Sequence, residues 1–141
     1  MMGFIWCAIA GAAMSVQGVM NTRLGEGIGT MEANAFVQAT AAALSAAALL
    51  FYRTGSFQQL GGVPWYYMLG GVLGLVITVT VMLGIGALSP TVAISVILIS
   101  QLLVAALIDA FGLMGAERVS FGWTKFAGLA LMIGGGVIFK R

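Results

Sequence analysis

The sequence contains five apolar stretches that account for most of its 141 residues. A transmembrane α-helix needs about 20 predominantly apolar residues, and a backbone within hydrocarbon must satisfy its own polar groups. Together these requirements predict an all-α integral membrane protein with a single transmembrane domain, 1–141. The predicted spans cover roughly 2–22, 31–51, 65–88, 91–113 and 122–139.

The composition excludes several other classes of protein. Hydrophobic residues make up 61% of the chain and charged residues only 7%, whereas soluble domains carry about 25% charged residues. The chain has no histidine and only one cysteine, Cys7, so we expect no metal site, cofactor or internal disulfide. No nucleophile–base set is present, which argues against an enzyme. A dispersed net charge of +2 argues against nucleic-acid binding.

The N-terminal apolar stretch is predicted to be a mature helix rather than a signal peptide. No lysine or arginine precedes Trp6, and a signal peptide needs a basic segment there. At about 20 residues, the stretch is also longer than the 7–15-residue apolar core of a signal peptide.

The basic residues are divided evenly between the two sides of the membrane. With these spans, three lie on each side: Arg53, Arg118 and Lys125 against Arg23, Lys140 and Arg141. An excess of Lys and Arg in the cytoplasmic loops normally sets orientation. An even division therefore predicts insertion in both orientations, so that two opposed copies can pair as an antiparallel dimer.

The turn between the first two helices is predicted to be a loop. Residues 23–30 contain three glycines, and Thr30 is the predicted N-cap of the second helix. Glu32 is expected in the first turn of that helix, where a carboxylate complements the positive end of the helix dipole.

Small residues four apart recur in the predicted spans. Such spacing lets helix backbones approach closely in a membrane, either within one subunit or between subunits. The pairs are Gly11–Ser15, Gly70–Gly74 and Ala130–Gly134. A stripe on the last helix is the preferred dimer interface: Ala127, Ala130 and Gly134.

Polar side chains inside the spans are the candidate substrate-binding residues, because polar groups in hydrocarbon need partners. They are Gln17, Asn21, Asn34, Gln38, Gln101 and Asp109. The alternative role for the amides is to hold helices together. Asp109 has the alternative of a structural ion pair with Arg118 or Lys125.

The candidate substrate-binding residues of one subunit lie at different depths in the membrane. At 1.5 Å per residue, Asp109 lies roughly 10 Å from mid-membrane, on the side opposite Gln17 and Gln38. In an antiparallel dimer, the partner's Asp109 would reach the level of these two amides, and one cavity could hold amides and carboxylate.

Ordered motifs along nearly the whole chain resemble one family. They are Gln17, Asn21 and Leu24-Gly25; Pro64-Trp65, Gly70-Gly71 and Gly74; Gln101-Leu102, Ile108-Asp109, Phe111-Gly112 and Gly115; and Gly128 with the Gly134–Gly136 run. In order and spacing they resemble the YdcZ-like, short five-helix members of the drug/metabolite transporter superfamily.

The resemblance implies a half-size transporter in the bacterial inner membrane. Such a chain is one inverted-repeat half of the bundle and is completed by antiparallel pairing with itself or with a sister subunit. The implied function is export of a small metabolite or cationic drug by alternating access, with the proton gradient as a candidate energy source. Gln17, Asn21, Gln101 and Asp109 match the motif, and Asp109 is the candidate coupling residue. The alternatives are a non-transporting membrane scaffold or regulatory subunit, and one half of an obligate heterodimer.

Overall fold

A computed structural model describes residues 1–119 and 122–139, and their regular structure is entirely helical. The α-helices are α1 (Met2–Ile28), α2 (Thr30–Phe51), α3 (Gly70–Ala87), α4 (Pro90–Phe111) and α5 (Trp123–Phe139). Short 3₁₀ segments cover Phe57–Gly62, Trp65–Leu69 and Leu113–Gly115. Lys140 and Arg141, which enter the predicted charge balance, lie outside the described residues.

Helix length and composition support the membrane class. Three described segments are long and apolar enough to cross a membrane: Met2–Ile28, Trp65–Ala87 and Pro90–Phe111. The apolar helix α5 is shorter, at 17 residues, and α2 is not one of the three. The all-helical membrane architecture is confirmed, and the number of five spans stays a prediction.

The chain divides into two compact units, Met1–Ala87 and Leu88–Arg141. The first contains α1, α2 and α3, and the second contains α4 and α5.

The predicted loop 23–30 is wrong, because α1 continues to Ile28. Only Gly29 leaves the helical conformation, with φ 103° and ψ 145°. Arg23 and Glu26, one turn apart on the helix surface, form an ion pair at 2.8 Å. Glycine is well tolerated in membrane helices, and the intrahelical hydrogen bonds satisfy the backbone there.

Gly29, rather than Thr30, is therefore the N-cap of α2. A positive φ is accessible to glycine without strain, so the chain reverses at this one residue and Thr30 is already helical. Glu32 lies in the first turn of α2, as predicted, and its carboxylate contacts Gly29.

Burial within the first unit is concentrated near this turn. The buried residues are Gly18, Asn21, Thr22, Ala33, Asn34, Met82 and Ile85. A Cβ atom built on Gly18 would lie 2.9 Å from Ile85 Cδ1 and 3.2 Å from Val81 Cγ1. A Cβ on Gly11, two turns earlier, would meet no described atom within 4 Å. Helices α1 and α3 are thus in tight contact near the turn and not at Gly11.

The second unit is an antiparallel helix pair. Ser89 caps α4 by accepting a hydrogen bond from the Val92 N–H, Pro90 occupies the first turn, and Gly112 ends the helix with φ 64°. The tight contact with α5 is at Gly136, where a Cβ would lie 2.7 Å from Ile99 Cδ1. Proline at the start and a left-handed glycine at the end are common limits of a helix, and Pro90 and Gly112 occupy these positions in α4.

Candidate functional site

A groove between α1 and α2 brings together two of the predicted residues. Its volume is about 770 Å³, and apolar side chains of both helices form most of its walls. Gln17 and Asn21 line it from α1, Gln17 being exposed and Asn21 only 8% exposed. Thr40 also lines the groove, but its hydroxyl donates to the Phe36 carbonyl at 2.8 Å. The two amides can therefore both donate to a ligand and accept from it, whereas the Thr40 hydroxyl can only accept.

Gln38 does not line this groove and lies instead against α3. A Cβ built on Gly74 would be 3.6 Å from Gln38 Nε2, which places the amide in van der Waals range of this part of α3. The Thr78 hydroxyl donates to the Gly74 carbonyl at 2.8 Å. The structure therefore separates the predicted pair Gln17–Asn21 from Gln38.

Asn34 lies one turn before Gln38 on α2 and is only 4% exposed. Its side-chain Oδ1 has no hydrogen-bond partner among the described residues. A buried acceptor without a partner costs about 1–3 kcal/mol. Asn34 Oδ1 can therefore accept a hydrogen bond from a donor that the described part of the chain does not supply.

Asp109 lies in a second groove, between α4 and α5, of about 470 Å³. It is half-buried, and Lys125 lines the same groove. Gln101 is exposed on α4 and does not line it. Within the second unit, the two predicted residues Gln101 and Asp109 are thus not brought together.

The predicted alternative of a structural ion pair at Asp109 is not observed. Arg118 Nε instead donates to the Ala110 carbonyl at 3.0 Å, and the Val119 N–H donates to the main-chain carbonyl of Asp109 at 2.9 Å. Among residues 1–119 and 122–139, the ion pair present is Arg23–Glu26. The Asp109 carboxylate is therefore available for a ligand.

The stripe predicted as a dimer interface is exposed. Ala127, Ala130 and Gly134 lie on the face of α5 opposite the groove, and a Cβ on Gly134 would meet no described atom within 4 Å. Gly11 and Gly70 are equally open within the described chain. Packing among the described residues of its own unit does not account for any of these three glycines, and pairing with a second subunit stays a prediction.

Two contributors to this architecture were not predicted from the sequence. Gly18 and Gly136 make the tight helix contacts. Lys125, which was predicted as an alternative ion-pair partner of Asp109, lines the same groove as Asp109. Gly18 is seven residues after Gly11, on the same helical face, so the sequence signal for Gly18 is a small-residue spacing of seven rather than four. The described residues also contain no group of three or more His, Cys, Asp or Glu side chains that could hold a metal ion.

Apolar helices of membrane-spanning length, with a few polar side chains in grooves between them, define a multi-pass helical membrane protein. Residues 2–138 match the family described as "Putative inner membrane exporter, YdcZ", and the chain belongs to this family. The match covers nearly the whole chain, so it confirms the resemblance and the inner-membrane location. The description of the family supports a transporter rather than an enzyme. No curated protein and no solved structure matches the chain.

Proposed function

We propose that this protein is a secondary transporter that exports a small metabolite or cationic drug by alternating access. The observation that carries this proposal is Asp109, an acidic side chain in a groove that apolar residues line apart from Lys125, and without an ion pair among the described residues. Ionisable groups inside membrane helices are costly and usually mark ion or substrate pathways.

In this proposal the amides hold the substrate and Asp109 supplies the charge. Gln17 and Asn21 line the α1–α2 groove, and their amides would donate hydrogen bonds to the substrate and accept hydrogen bonds from it. Asn34 offers an unpaired buried acceptor, while Gln38 and Gln101 add amides from α2 and α4. In this proposal the Asp109 carboxylate binds the cationic substrate, and it binds a proton when the substrate is absent. The exchange of substrate for a proton would couple export to the proton gradient.

The working unit in this proposal is an antiparallel dimer of two oppositely inserted copies. The evenly divided basic residues support it, because they give the positive-inside rule no preferred orientation. The exposed stripe of Ala127, Ala130 and Gly134 supports it as well, since small residues let membrane helices approach closely. Opposed copies would reproduce the inverted-repeat symmetry of many secondary transporters.

A transport assay tests the coupling residue. The protein is reconstituted into liposomes with a pH gradient, and proton flux is followed on addition of candidate cationic and neutral substrates. Asp109→Asn is expected to lose pH-driven transport and to keep its assembly, whereas Glu117→Gln, which changes an exposed loop acid, is expected to transport like the wild type. Unchanged pH-driven transport in Asp109→Asn would contradict the role of Asp109.

Labelling in the native membrane tests the dimer. Single cysteines at Ser56 and after Arg141, in a protein lacking Cys7, are treated with an impermeant thiol reagent. Comparable labelling of each site from both faces is expected for two opposed orientations. Labelling of each site from one face only would exclude the homodimer and direct the search to a sister subunit of opposite orientation.

A further inference from the structure

The groove between α4 and α5 has a regular construction. Each helix contributes four residues with i, i+3, i+4 and i+7 spacing, at positions 102–109 of α4 and 125–132 of α5. This spacing places all four on one helical face. Because seven residues rise about 10 Å along a helix, the groove is long and narrow, about 10 Å from end to end.

The two ends of the groove differ in chemistry. Leu102 and Met132 line one end, and Asp109 and Lys125 line the other. Beyond the apolar end, the Gly136–Ile99 contact brings the helices tightly together and closes the groove. The charged end is near the helix termini, since α4 ends two residues after Asp109 and α5 begins two residues before Lys125.

Small residues create the space between these ends. Ala105 and Ala106 lie on α4 and Gly128 on α5. A Cβ built on Gly128 would meet no described atom within 4 Å, so the two helices do not close on one another here. The groove can therefore hold an apolar chain about 10 Å long.

The charges at the mouth complement a head group that carries both signs. A carboxylate binds an ammonium, and a lysine ammonium binds a phosphate or carboxylate, through charge-assisted hydrogen bonds. We propose that this groove binds the apolar chain of a zwitterionic amphiphile, with its ammonium at Asp109 and its anionic group at Lys125. The binding of this amphiphile in the groove does not depend on the proposed function. The further statement that the amphiphile is the exported substrate rests on the proposed function.

The test uses the full-length protein in a neutral detergent and two probes with the same acyl chain. One probe is lysophosphatidylethanolamine, which is zwitterionic, and the other is lysophosphatidylglycerol, which lacks the ammonium. Each probe is brominated, and binding is followed by quenching of Trp123, which precedes Lys125 by two residues, in a protein whose Trp6 and Trp65 are replaced by phenylalanine. The wild-type groove is expected to bind the zwitterionic probe at least about tenfold more tightly than the anionic one.

Matched variants separate the groove from the rest of the surface. Ala105→Phe fills the groove and is expected to weaken binding at least about tenfold. The control is Val104→Phe, which adds a ring on the opposite face of α4, at a residue that is 56% exposed, and is expected to leave binding unchanged. Equal affinities in these two variants would overturn the proposal. Should Ala105→Phe fail to fold, Asp109→Asn decides, because it is expected to lose the preference for the zwitterionic probe, and a retained preference would contradict the proposal.

The outcomes for the groove and for the proposed function can be told apart. If Asp109→Asn loses pH-driven export but binds both probes as the wild type does, the groove assignment is wrong and the transport proposal stands. If binding follows the expected pattern but liposomes show neither pH-driven transport nor flux of the amphiphile, the groove is a lipid site and the transport proposal is wrong.

Discussion

The contact at Gly18 gives a sharp prediction about stability. A Cβ there would already lie 2.9 Å from Ile85 Cδ1 and 3.2 Å from Val81 Cγ1. For Gly18→Ala, rotation of the Ile85 methyl end can relieve this contact, so we expect little net change. Gly18→Leu adds three further carbons that cannot fit without moving α3, and overpacking of this kind costs about 1–3 kcal/mol.

Gly11→Leu is the matched control, because Gly11 is on the same face of α1 and a Cβ there meets no described atom within 4 Å. Replacing glycine by leucine in a helix gains roughly 1 kcal/mol of intrinsic propensity in both variants. The difference in the free energy of unfolding between Gly18→Leu and Gly11→Leu is therefore expected to equal the overpacking cost alone, about 1–3 kcal/mol.

The assay is reversible unfolding in mixed micelles at increasing mole fraction of dodecyl sulfate, followed by far-ultraviolet circular dichroism. It is run at a protein concentration where both variants have the same oligomeric state, so that only the contact within one chain differs. If the two leucine variants unfold at the same dodecyl sulfate fraction, α1 and α3 do not meet at Gly18 and the description of the first unit is wrong.

Three further substitutions test other parts of the chain in the same unfolding assay. Gly29→Ala is expected to cost about 1–3 kcal/mol, because alanine is strained at φ 103° and its Cβ would collide with the Glu32 carboxylate; stability equal to wild type would contradict the one-residue turn. Gly136→Leu is expected to lower stability by about 1–3 kcal/mol relative to Gly135→Leu, whose Cβ position is open, and equal values would contradict the α4–α5 contact. Asn34→Leu removes an unpaired buried acceptor, so the free energy of unfolding should stay the same or rise by about 1 kcal/mol. If Asn34 binds substrate, the same variant should lose transport. Retained transport would show that Asn34 is not a substrate-binding residue.

Much of the helical architecture could be predicted from the sequence because hydrocarbon allows so few alternatives. Five apolar stretches had to be helices, and Pro90 and Gly112 mark the limits of α4 in the sequence itself. Residues 23–30 were misjudged because a glycine-rich segment indicates a loop in water, whereas here α1 continues and Gly29 alone makes the turn. The conformational preferences of the individual residues therefore did not determine the structure of this segment.

The candidate site was harder to predict, because helical spacing indicates which residues share a face but not which neighbour that face meets. Gln17 and Asn21 share a face in sequence and line one groove in the structure. Gln101 and Asp109 were both predicted to bind substrate, but Gln101 is exposed, and of the two only Asp109 lines the groove between α4 and α5. The difference depends on where helices cross, which is determined at Gly18 and Gly136 by contacts far along the chain.

In each unit, the tight contacts and the groove involve different residues, and this separates stability from function. Gly18 and Gly136 are in close contact with a neighbouring helix, so changing them alters packing. Asp109 and Gln17 line open grooves, so Asp109→Asn and Gln17→Leu remove polar groups without creating a cavity or an overlap. Substitutions in the grooves should therefore change the free energy of unfolding by less than about 0.5 kcal/mol and should still change binding or transport. A large loss of stability in either groove variant would show that these side chains hold the helices together, which is the structural role that the transport proposal rejects.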